Sequence, residues 1–279
     1  MDSLAEKRER VKKLRPIDDV FFEVLADDLE VCQEILRTIL KDDRLIVEDV
    51  IVQSSHRNVW GRSVRLDALC ILGDGSRCDI EVQRANSDNH LKRARYNAAC
   101  IVTKNIDPGE CFAKVPRVII VYISEKDFLG YGKTIYHIDK VIRENGIAID
   151  DGLLEVFVNM KVDDKTEIAE LMKCFSETEI DNPKFPKLSR RAKFLKESEG
   201  GMMIMCDVME EYMEQARQEG RTGESSKGKA TTFRFNHPYV PEWRQRQNRT
   251  TAKSRVFAGN VEQVRTVKEM AVTPEKAVV

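Results

Sequence analysis

The sequence predicts an α/β protein with a mixed central sheet flanked by helices, followed by a C-terminal helical segment and a disordered tail. Segments whose apolar residues repeat every second residue alternate along the chain with segments whose apolar residues recur every three to four residues. Residues 117–124 are rich in Val and Ile, which is typical of a strand buried on both faces. From Arg221 onwards this periodicity ends and small polar and basic residues dominate, which predicts the disordered tail.

Two amphipathic helices are expected at the start of the fold. Residues 1–13 form a charged N-terminal extension. The acidic residues at 18–19 lie where a helix begins, since negative charge suits the first turn. Apolar side chains then share one face over residues 20–25 and again over residues 31–40. Glu23 lies within the first helix, where it either reaches a functional site or is solvated.

The central sheet is expected to form from the segments that follow. A strand at residues 45–52 and a polar connection at residues 53–62 lead to a hairpin at residues 64–83. A helical pattern over residues 88–104 then precedes the buried strand at residues 117–124. In this order the last strand can join the sheet in parallel, because the helix provides the crossover that parallel strands need.

A helical segment follows the core. The core is predicted at residues 14–160, the helical segment at residues 161–220 and the basic tail at residues 221–279. The last helix carries an apolar, Met-rich stripe between Met202 and Gly220, which indicates either packing on the chain's own core or a homo-oligomer contact. The tail is interpreted as an addition to the fold, such as a read-through or frame-shifted extension. The predicted elements after the buried strand are a short strand within residues 128–139, a strand at residues 153–160, and helices at residues 166–177, 185–196 and 202–220.

The hairpin at residues 64–83 decides whether two carboxylates can meet. Residues 73–75 supply the turn, because their two glycines accept the positive φ angles that hairpin loops need. A three-residue loop places Asp67 opposite Glu81 on one face of the sheet. A two-residue loop shifts the pairing by one and places them on opposite faces, unless a bulge restores the match. The sequence leaves both registers open.

Composition bounds the class of protein. The chain has 279 residues, of which 42% are hydrophobic and 33% charged, as expected for a soluble globular protein. Its longest apolar runs are too short to cross a bilayer and the N-terminus lacks an apolar signal core, so we expect a cytoplasmic protein without a membrane partner. Seven widely spaced cysteines without a Cys-x-x-Cys pair are predicted to be reduced core residues, and four scattered histidines match no zinc-ligand spacing.

Charge is unevenly distributed along the chain. Residues 221–279 contain 12 Lys and Arg against 5 Asp and Glu, which leaves 34 against 42 for residues 1–220. The main body is therefore mildly acidic. A polyanion normally needs a basic surface, so this balance argues against strong nonspecific DNA affinity of the folded domain alone and leaves a local basic groove as the means of binding.

Asp67, Glu81 and Gln83 form the candidate site. An Asp on one strand and a Glu-x-Gln on the next are suited to a divalent-metal nuclease when a hairpin brings them together. Two carboxylates hold a hard cation such as Mg²⁺, which activates a water and stabilises developing charge. Asp67 and Glu81 are the predicted metal ligands, and Gln83 is predicted to orient the attacking water. The sequence contains no Gly-rich phosphate loop and no Gly-x-Ser-x-Gly pattern, which argues against nucleotide binding and covalent catalysis.

This pattern resembles the PD-(D/E)XK nuclease superfamily, and within it the recombination-promoting nuclease or PD-(D/E)XK nuclease family transposase group. The resemblance implies a restriction-endonuclease-like core and Mg²⁺-dependent hydrolysis of DNA phosphodiesters, with Mn²⁺ as an alternative ion. It also implies an association with transposition or recombination. The matching features, which span residues 14–220, are residues 16–22, Leu66-Asp67, the Asp74-Gly75 turn, Ile80-Glu81-Val82-Gln83-Arg84, the helix with Arg93 and Tyr96, and the strand after Pro116.

Two positions depart from the superfamily pattern. Gln83 stands where lysine is usual, and glutamine can hydrogen-bond a water but brings no positive charge. Glutamine at this position nevertheless resembles the usage of the transposase group. Leu66 stands in place of the nominal proline. The alternative interpretation is a catalytically inactive, nuclease-derived module that binds nucleic acid or a protein partner.

Basic and aromatic residues near the site are candidates for supporting roles. The arginines among them either contact phosphate, or are solvated or paired with acids such as Asp79 and Asp88. The candidate DNA-binding residues are Arg93, Arg95 and Tyr96, and the candidate accessory residues of the site are Glu23 and Arg84.

Overall fold

A computed structural model describes residues 4–56, 64–84 and 89–225. The chain divides into two units, residues 1–222 and residues 223–279, and the sheet and the helices that cover it belong to the first unit. The tail predicted from the sequence lies outside the described residues from residue 226 onwards.

The described residues form seven α-helices, eight strands and one short 3₁₀ helix. The predicted order of two helices, three strands, one helix and one strand is confirmed as α2, α3, β1, β2, β3, α4 and β4, with α1 preceding it. The helices are α1 (Leu4–Lys12), α2 (Asp19–Ala26), α3 (Leu29–Leu40), α4 (His90–Lys104), α5 (Glu167–Ser176), α6 (Pro186–Glu197) and α7 (Glu199–Ser225). The strands are β1 (Val47–His56), β2 (Val64–Leu72), β3 (Arg77–Gln83), β4 (Val118–Ser124), β5 (Ile135–Ile138), β6 (Lys140–Val141), β7 (Ala148–Ile149) and β8 (Leu153–Asn159).

Six of these strands form one mixed sheet in the order β1-β2-β3-β4-β8-β5, and β6 pairs with β7 separately. Strands β1, β2 and β3 are antiparallel, β3, β4 and β8 run parallel, and β5 is antiparallel to β8. As the sequence predicts, α4 supplies the crossover between β3 and β4. Every residue of β4 is buried, which confirms the prediction of a strand covered on both faces.

Helices cover both faces of the sheet. On one face, Ala98 and Ile101 of α4 belong to a core cluster that also contains Tyr122 of β4. On the other face, the apolar stripes of α2, α3, α5, α6 and α7 form a larger cluster with Cys78 and Ile80 of β3. Because side chains alternate along a strand, Asp79, Glu81 and Gln83 of β3 point toward α4 instead. This alternation places the polar residues of β3 beneath one helix.

Strand β1 is longer than the sequence indicates. The sequence predicts a polar connection over residues 53–62, but β1 continues through residues 53–56. Its ladder with β2 extends to the pair of His56 and Val64, so backbone pairing between neighbouring strands outweighs the polar composition of this segment. The prediction is therefore wrong for residues 53–56, and the rest of the predicted connection lies outside the described residues.

The Met-rich stripe of α7 packs on the chain's own core. Met202, Met205 and Val208 are buried, whereas Met203 is exposed. The packing interpretation of this stripe is therefore confirmed, and the homo-oligomer stays a prediction. Six of the seven free cysteines are buried as predicted, whereas Cys111 is exposed. No helix in the described part of the chain combines the length and apolar character needed to cross a membrane.

Candidate active site

The turn between β2 and β3 is the three-residue loop that aligns the two carboxylates. The Leu72 N–H donates to the Ser76 carbonyl at 3.0 Å, and the Gly75 N–H donates to the Leu72 carbonyl at 2.9 Å. Gly75 has a φ of 84°, a conformation that a side chain would strain. The ladder then pairs Cys70 with Cys78 and Ala68 with Ile80, and the next position along it places Asp67 opposite Glu81. The structure therefore has the odd-length loop, which is one of the two registers that the sequence leaves open.

Strands β2 and β3 stop forming a regular ladder at this pair of carboxylates. The Val82 N–H donates to Asp67 Oδ2 at 3.0 Å, so a side-chain oxygen takes the place of a backbone carbonyl. Glu81 is 0% exposed. Burial is the main cause that raises the pKa of Glu81, and the backbone N–H of Asp67 is among the groups that oppose this rise. The backbone of β3 thus holds the Asp67 carboxylate in place.

Arg93 of α4 connects Glu81 to Gln83 through its guanidinium. Its guanidinium contacts Glu81 Oε1 through Nε at 3.1 Å and through Nη2 at 2.9 Å. Its Nη1 donates to the side-chain oxygen of Gln83 at 2.6 Å. The structure therefore brings Asp67, Glu81, Gln83 and Arg93 together, and it places a cation between the Glu and the Gln of the motif.

Asp79 and Asn97 complete the buried part of the site, and sequence reasoning missed their role. Asn97 Nδ2 lies 3.1 Å from Asp79 Oδ2 and 3.2 Å from Glu81 Oε2, so one amide bridges both carboxyls. Asp79 Oδ1 is buried and has no hydrogen-bond partner. The period of two along β3 places Asp79 on the face of Glu81, and Asn97 follows Arg93 by one helical turn, so both signals were present in the sequence.

The four carboxyl groups around Arg93 hold their protons more strongly than usual. Burial, and then the charge of Asp67, raises the pKa of Asp79 to about 8. Burial and the charge of Asp79 raise the pKa of Glu81 to about 8, while Arg93 opposes this shift. Burial also raises the pKa of Asp67 well above its ordinary value, with Glu81 adding to the effect. The pKa of Asp19, at the start of α2, is also raised, because the effect of burial exceeds the opposing effect of Arg93.

Tyr122 and His90 border the carboxylates beneath α4, and the sequence did not indicate them. Tyr122 lies beside Glu81 in the parallel ladder of β3 and β4. Its hydroxyl is 2.9 Å from His90 Nδ1, and burial raises the pKa of Tyr122. His90 stacks on Phe128 with 4.3 Å between the ring centroids. These aromatic groups close the apolar side of the site.

The remaining predicted residues Glu23 and Arg84 have other partners than the bridged carboxylates. Glu23 Oε2 is 3.7 Å from Arg65 Nη2, and Glu23 contributes to the raised pKa of Tyr212 after burial. Arg84 Nη1 pairs with Asp18 Oδ1 at 2.8 Å. Arg95 is exposed.

Of the two predicted acid partners of the arginines, the structure describes only Asp79. The pairing of an arginine with Asp79 is not seen, because Asp79 accepts from an amide instead. Asp88 lies outside the described residues. Tyr96, a predicted DNA contact, is half-buried beside Cys100, whose pKa it lowers against the larger effect of burial.

The donor set fits a hard divalent cation. In the described ranges, no three Asp, Glu, His or Cys side chains converge as a complete metal site. Asp67 and Glu81 nevertheless supply two carboxylates from facing strands, and an ion such as Mg²⁺ keeps waters as its other ligands. Asp79 Oδ1 is buried without a hydrogen-bond partner, and Arg93 is the cation that acts on all four carboxyl groups, so the acidic groups outnumber the cations here. A bound cation would compensate this charge.

A mixed sheet whose β2–β3 hairpin carries opposed carboxylates beneath a crossover helix defines a restriction-endonuclease-like α/β fold. Residues 19–234 match the family model described as PD-(D/E)XK nuclease family transposase, and the chain belongs to this family. Membership supports a role related to nuclease or transposase activity, and PD-(D/E)XK nucleases generally use divalent metal ions. Neither the curated proteins nor the solved structures contain a significant match.

Proposed function

We propose that this protein is a Mg²⁺-dependent DNA endonuclease that hydrolyses phosphodiester bonds during transposition or recombination. One observation carries the proposal: Asp67 and Glu81 come to face each other where β2 and β3 part, on the face covered by α4. Facing carboxylates at this place suit a cation that must also contact a phosphate. Mn²⁺ has the same preference for oxygen ligands and is expected to substitute.

Each site residue has a role in this proposal. Asp67 and Glu81 would hold the ion, which supplies Lewis-acid stabilisation and a water of lowered pKa. Gln83 accepts a hydrogen bond from Arg93 through its oxygen, and its amide N–H groups are the donors that can orient a water. Arg93 supplies the positive charge that Gln83 lacks compared with lysine. Tyr122 and the apolar residues beneath α4 limit access of bulk water to the carboxylates.

Nicking of supercoiled plasmid tests the proposed activity. The wild-type protein is expected to nick plasmid in Mg²⁺ or Mn²⁺ and to stop when the metal is chelated. Asp67→Asn keeps the shape of the side chain but removes its charge, so we expect a loss of about 100-fold or more. Asp74→Asn, in the same hairpin but at its exposed turn, is the matched control and should cut normally. Equal cutting by Asp67→Asn would refute the assignment.

A catalytically inactive, nuclease-derived binding module is the second candidate. It is favoured by Gln83 in place of lysine and by the guanidinium of Arg93 on Glu81 Oε1, at 2.9 Å. Isothermal calorimetry separates the two candidates, because the inactive module would bind DNA or a protein without binding Mg²⁺ or Mn²⁺. Metal binding that Asp67→Asn abolishes would exclude the inactive module.

DNA is the proposed partner, and the cytoplasm is the proposed location. Arg93, Arg95 and Tyr96 are the proposed DNA contacts on α4, and Arg84 and Glu23 are proposed accessory residues. Replacement of Arg95 by Met should weaken DNA binding and reduce its salt dependence, which a binding titration at several salt concentrations measures. Self-association through α7 is also proposed, and it would use residues of the helix other than Met202 and Met205, which are buried in the chain's own core.

A further inference from the structure

We infer that Arg93 acts as a resident counter-cation of the site and has to leave Glu81 before a divalent metal can bind there. The inference deepens the proposed function and rests on it, because it concerns how metal enters the same site. It rests on the contacts of Glu81, on the charge balance around it and on the position of Arg93 in α4.

Both oxygens of the Glu81 carboxylate are already in use. Oε1 lies 3.1 Å from Nε and 2.9 Å from Nη2 of Arg93, and Oε2 lies 3.2 Å from Asn97 Nδ2. A carboxylate oxygen has two lone pairs, so the two N–H groups of Arg93 occupy the acceptor sites of Oε1. A metal ligand bond is much shorter than these contacts and uses the same lone pairs. Metal and guanidinium therefore compete for one oxygen.

The charge balance explains why a cation occupies this place. Glu81 is fully buried. Three further carboxyl groups, those of Asp67, Asp79 and Asp19, interact electrostatically with Glu81 or with one another. A buried carboxylate without a partner is costly, so the guanidinium holds the site together until another cation replaces it. A divalent ion carries twice the charge of Arg93 and can compensate both Asp67 and Glu81. Replacement of Arg93 by the metal therefore costs less than simple loss of Arg93.

The Arg93 side chain can turn from Glu81 toward solvent, where a DNA phosphate could bind it. Its side chain is 44% exposed although the carboxylate that it binds is 0% exposed, so the guanidinium lies at the boundary with solvent. It is in the first turns of α4, which have no acidic residue and carry Lys92 and Arg95 beside it. A helix N-terminus repels a cation and attracts a phosphate. A DNA phosphate arriving there would stabilise Arg93 away from Glu81, so that DNA and metal binding favour each other.

Metal affinity of variants tests the inference. The Mg²⁺ and Mn²⁺ dissociation constants would be measured by isothermal calorimetry for the wild type, Arg93→Met and Lys92→Met. Lys92→Met removes the same charge from the neighbouring exposed position of α4, so it controls for long-range electrostatics. Arg93→Met is expected to bind metal about tenfold more tightly than Lys92→Met, because a charge-assisted contact no longer has to be broken. Equal or weaker binding by Arg93→Met would overturn the inference.

A measurement on the wild type guards against a misfolded variant. The Nε–Hε signal of Arg93 in a ¹⁵N-labelled protein, assigned by its loss in Arg93→Lys, should shift on titration with Mg²⁺ toward the position of an unpaired guanidinium. Metal binding that leaves this signal unchanged would overturn the inference and keep the proposed function. Absence of metal binding in the wild type and in both variants would instead remove the proposed function and the inference with it.

Discussion

The carboxyl group of Asp79 is fully buried, like that of Glu81. One oxygen accepts from Asn97 and the other is buried without a partner. Glu81, two residues further along β3, has a guanidinium on one oxygen and the same amide on the other. A neutral acid avoids the cost of an uncompensated buried charge, which is why burial raises the pKa of Asp79 to about 8. Asp79 therefore shares the Asn97 amide with Glu81 and, as a neutral acid, adds no negative charge beside it.

This raised pKa predicts a dependence of stability on pH. The ordinary pKa of Asp is 3.8, and the folded protein raises it to about 8, so the folded protein binds this proton more tightly than the unfolded chain. The contribution to stability is complete below the unfolded pKa and is lost as the pH rises through the folded pKa. The free energy of unfolding should thus fall between about pH 4 and pH 8, at up to about 1.4 kcal/mol per pH unit.

Urea unfolding at several pH values, with a chelator present, measures this slope. Asp79→Asn cannot ionise, and its fall between pH 5 and pH 8 should be shallower than that of the wild type. Asp74→Asn is a suitable control because hydrogen bonding to Ser76 lowers the pKa of this exposed carboxyl. Parallel slopes for the wild type and Asp79→Asn would show that Asp79 is ionised in the folded protein at neutral pH.

The junction of α6 and α7 shows how one element determines the position of the next. Ser198 separates the two helices, and its backbone N–H and hydroxyl both donate to the Phe194 carbonyl. Gly201, in the first turn of α7, passes so close to α6 that an added Cβ would lie 2.7 Å from the Leu195 Cα. The neighbouring Gly200 has open space around its Cβ position. The approach of α7, with its buried Met stripe, therefore depends on one glycine.

Alanine at each glycine tests this dependence. Gly201→Ala should lower the free energy of unfolding by about 2–4 kcal/mol, because the backbone of α6 must move to admit a methyl group. Gly200→Ala should be neutral or stabilising by up to about 1 kcal/mol, since alanine favours a helix. Denaturant unfolding of the two single variants gives both values. Equal stabilities would mean that α7 shifts away from α6 at little cost.

The whole molecule separates into an acidic body and a basic C-terminal region. Residues 221–279 carry 12 Lys and Arg against 5 Asp and Glu, opposite to the balance of the rest. The first compact unit ends at Thr222, and the family match continues to residue 234. Folding and nonspecific electrostatic attraction to DNA are therefore expected to reside in different parts of the chain.

A chain ending at Ser225 separates these contributions. Its melting temperature should stay within about 2 °C of the full chain, because the core helices and all strands of the sheet are retained. Its affinity for nonspecific DNA should fall, with a shallower dependence on salt, because fewer cations contact phosphate. Thermal unfolding and DNA titrations at several salt concentrations measure the two effects. A truncated chain that fails to fold would show that the C-terminal region belongs to the fold.

The sequence by itself determined the main elements of this protein and their order, although it did not predict the short strands β6 and β7. Alternation along β2 and β3, the Val and Ile run of β4 and the stripe of α7 are properties of short stretches of chain, so their periods predict structure directly. The family resemblance follows from the same stretches and is confirmed by the match over residues 19–234. Strand β1 was too short in the prediction because its last residues are polar and depend on pairing with β2.

Only the tertiary structure decided which groups meet in the site. The turn at Gly75 sets the register that places Asp67 opposite Glu81, and the sequence allowed two registers. The packing of α4 over β3 brings Arg93 to Glu81 and Asn97 to Asp79, although these residues belong to separate elements. A short stretch of sequence carries its own periodicity, but hydrogen bonds and charges act between residues that only the folded sheet and helix bring within reach.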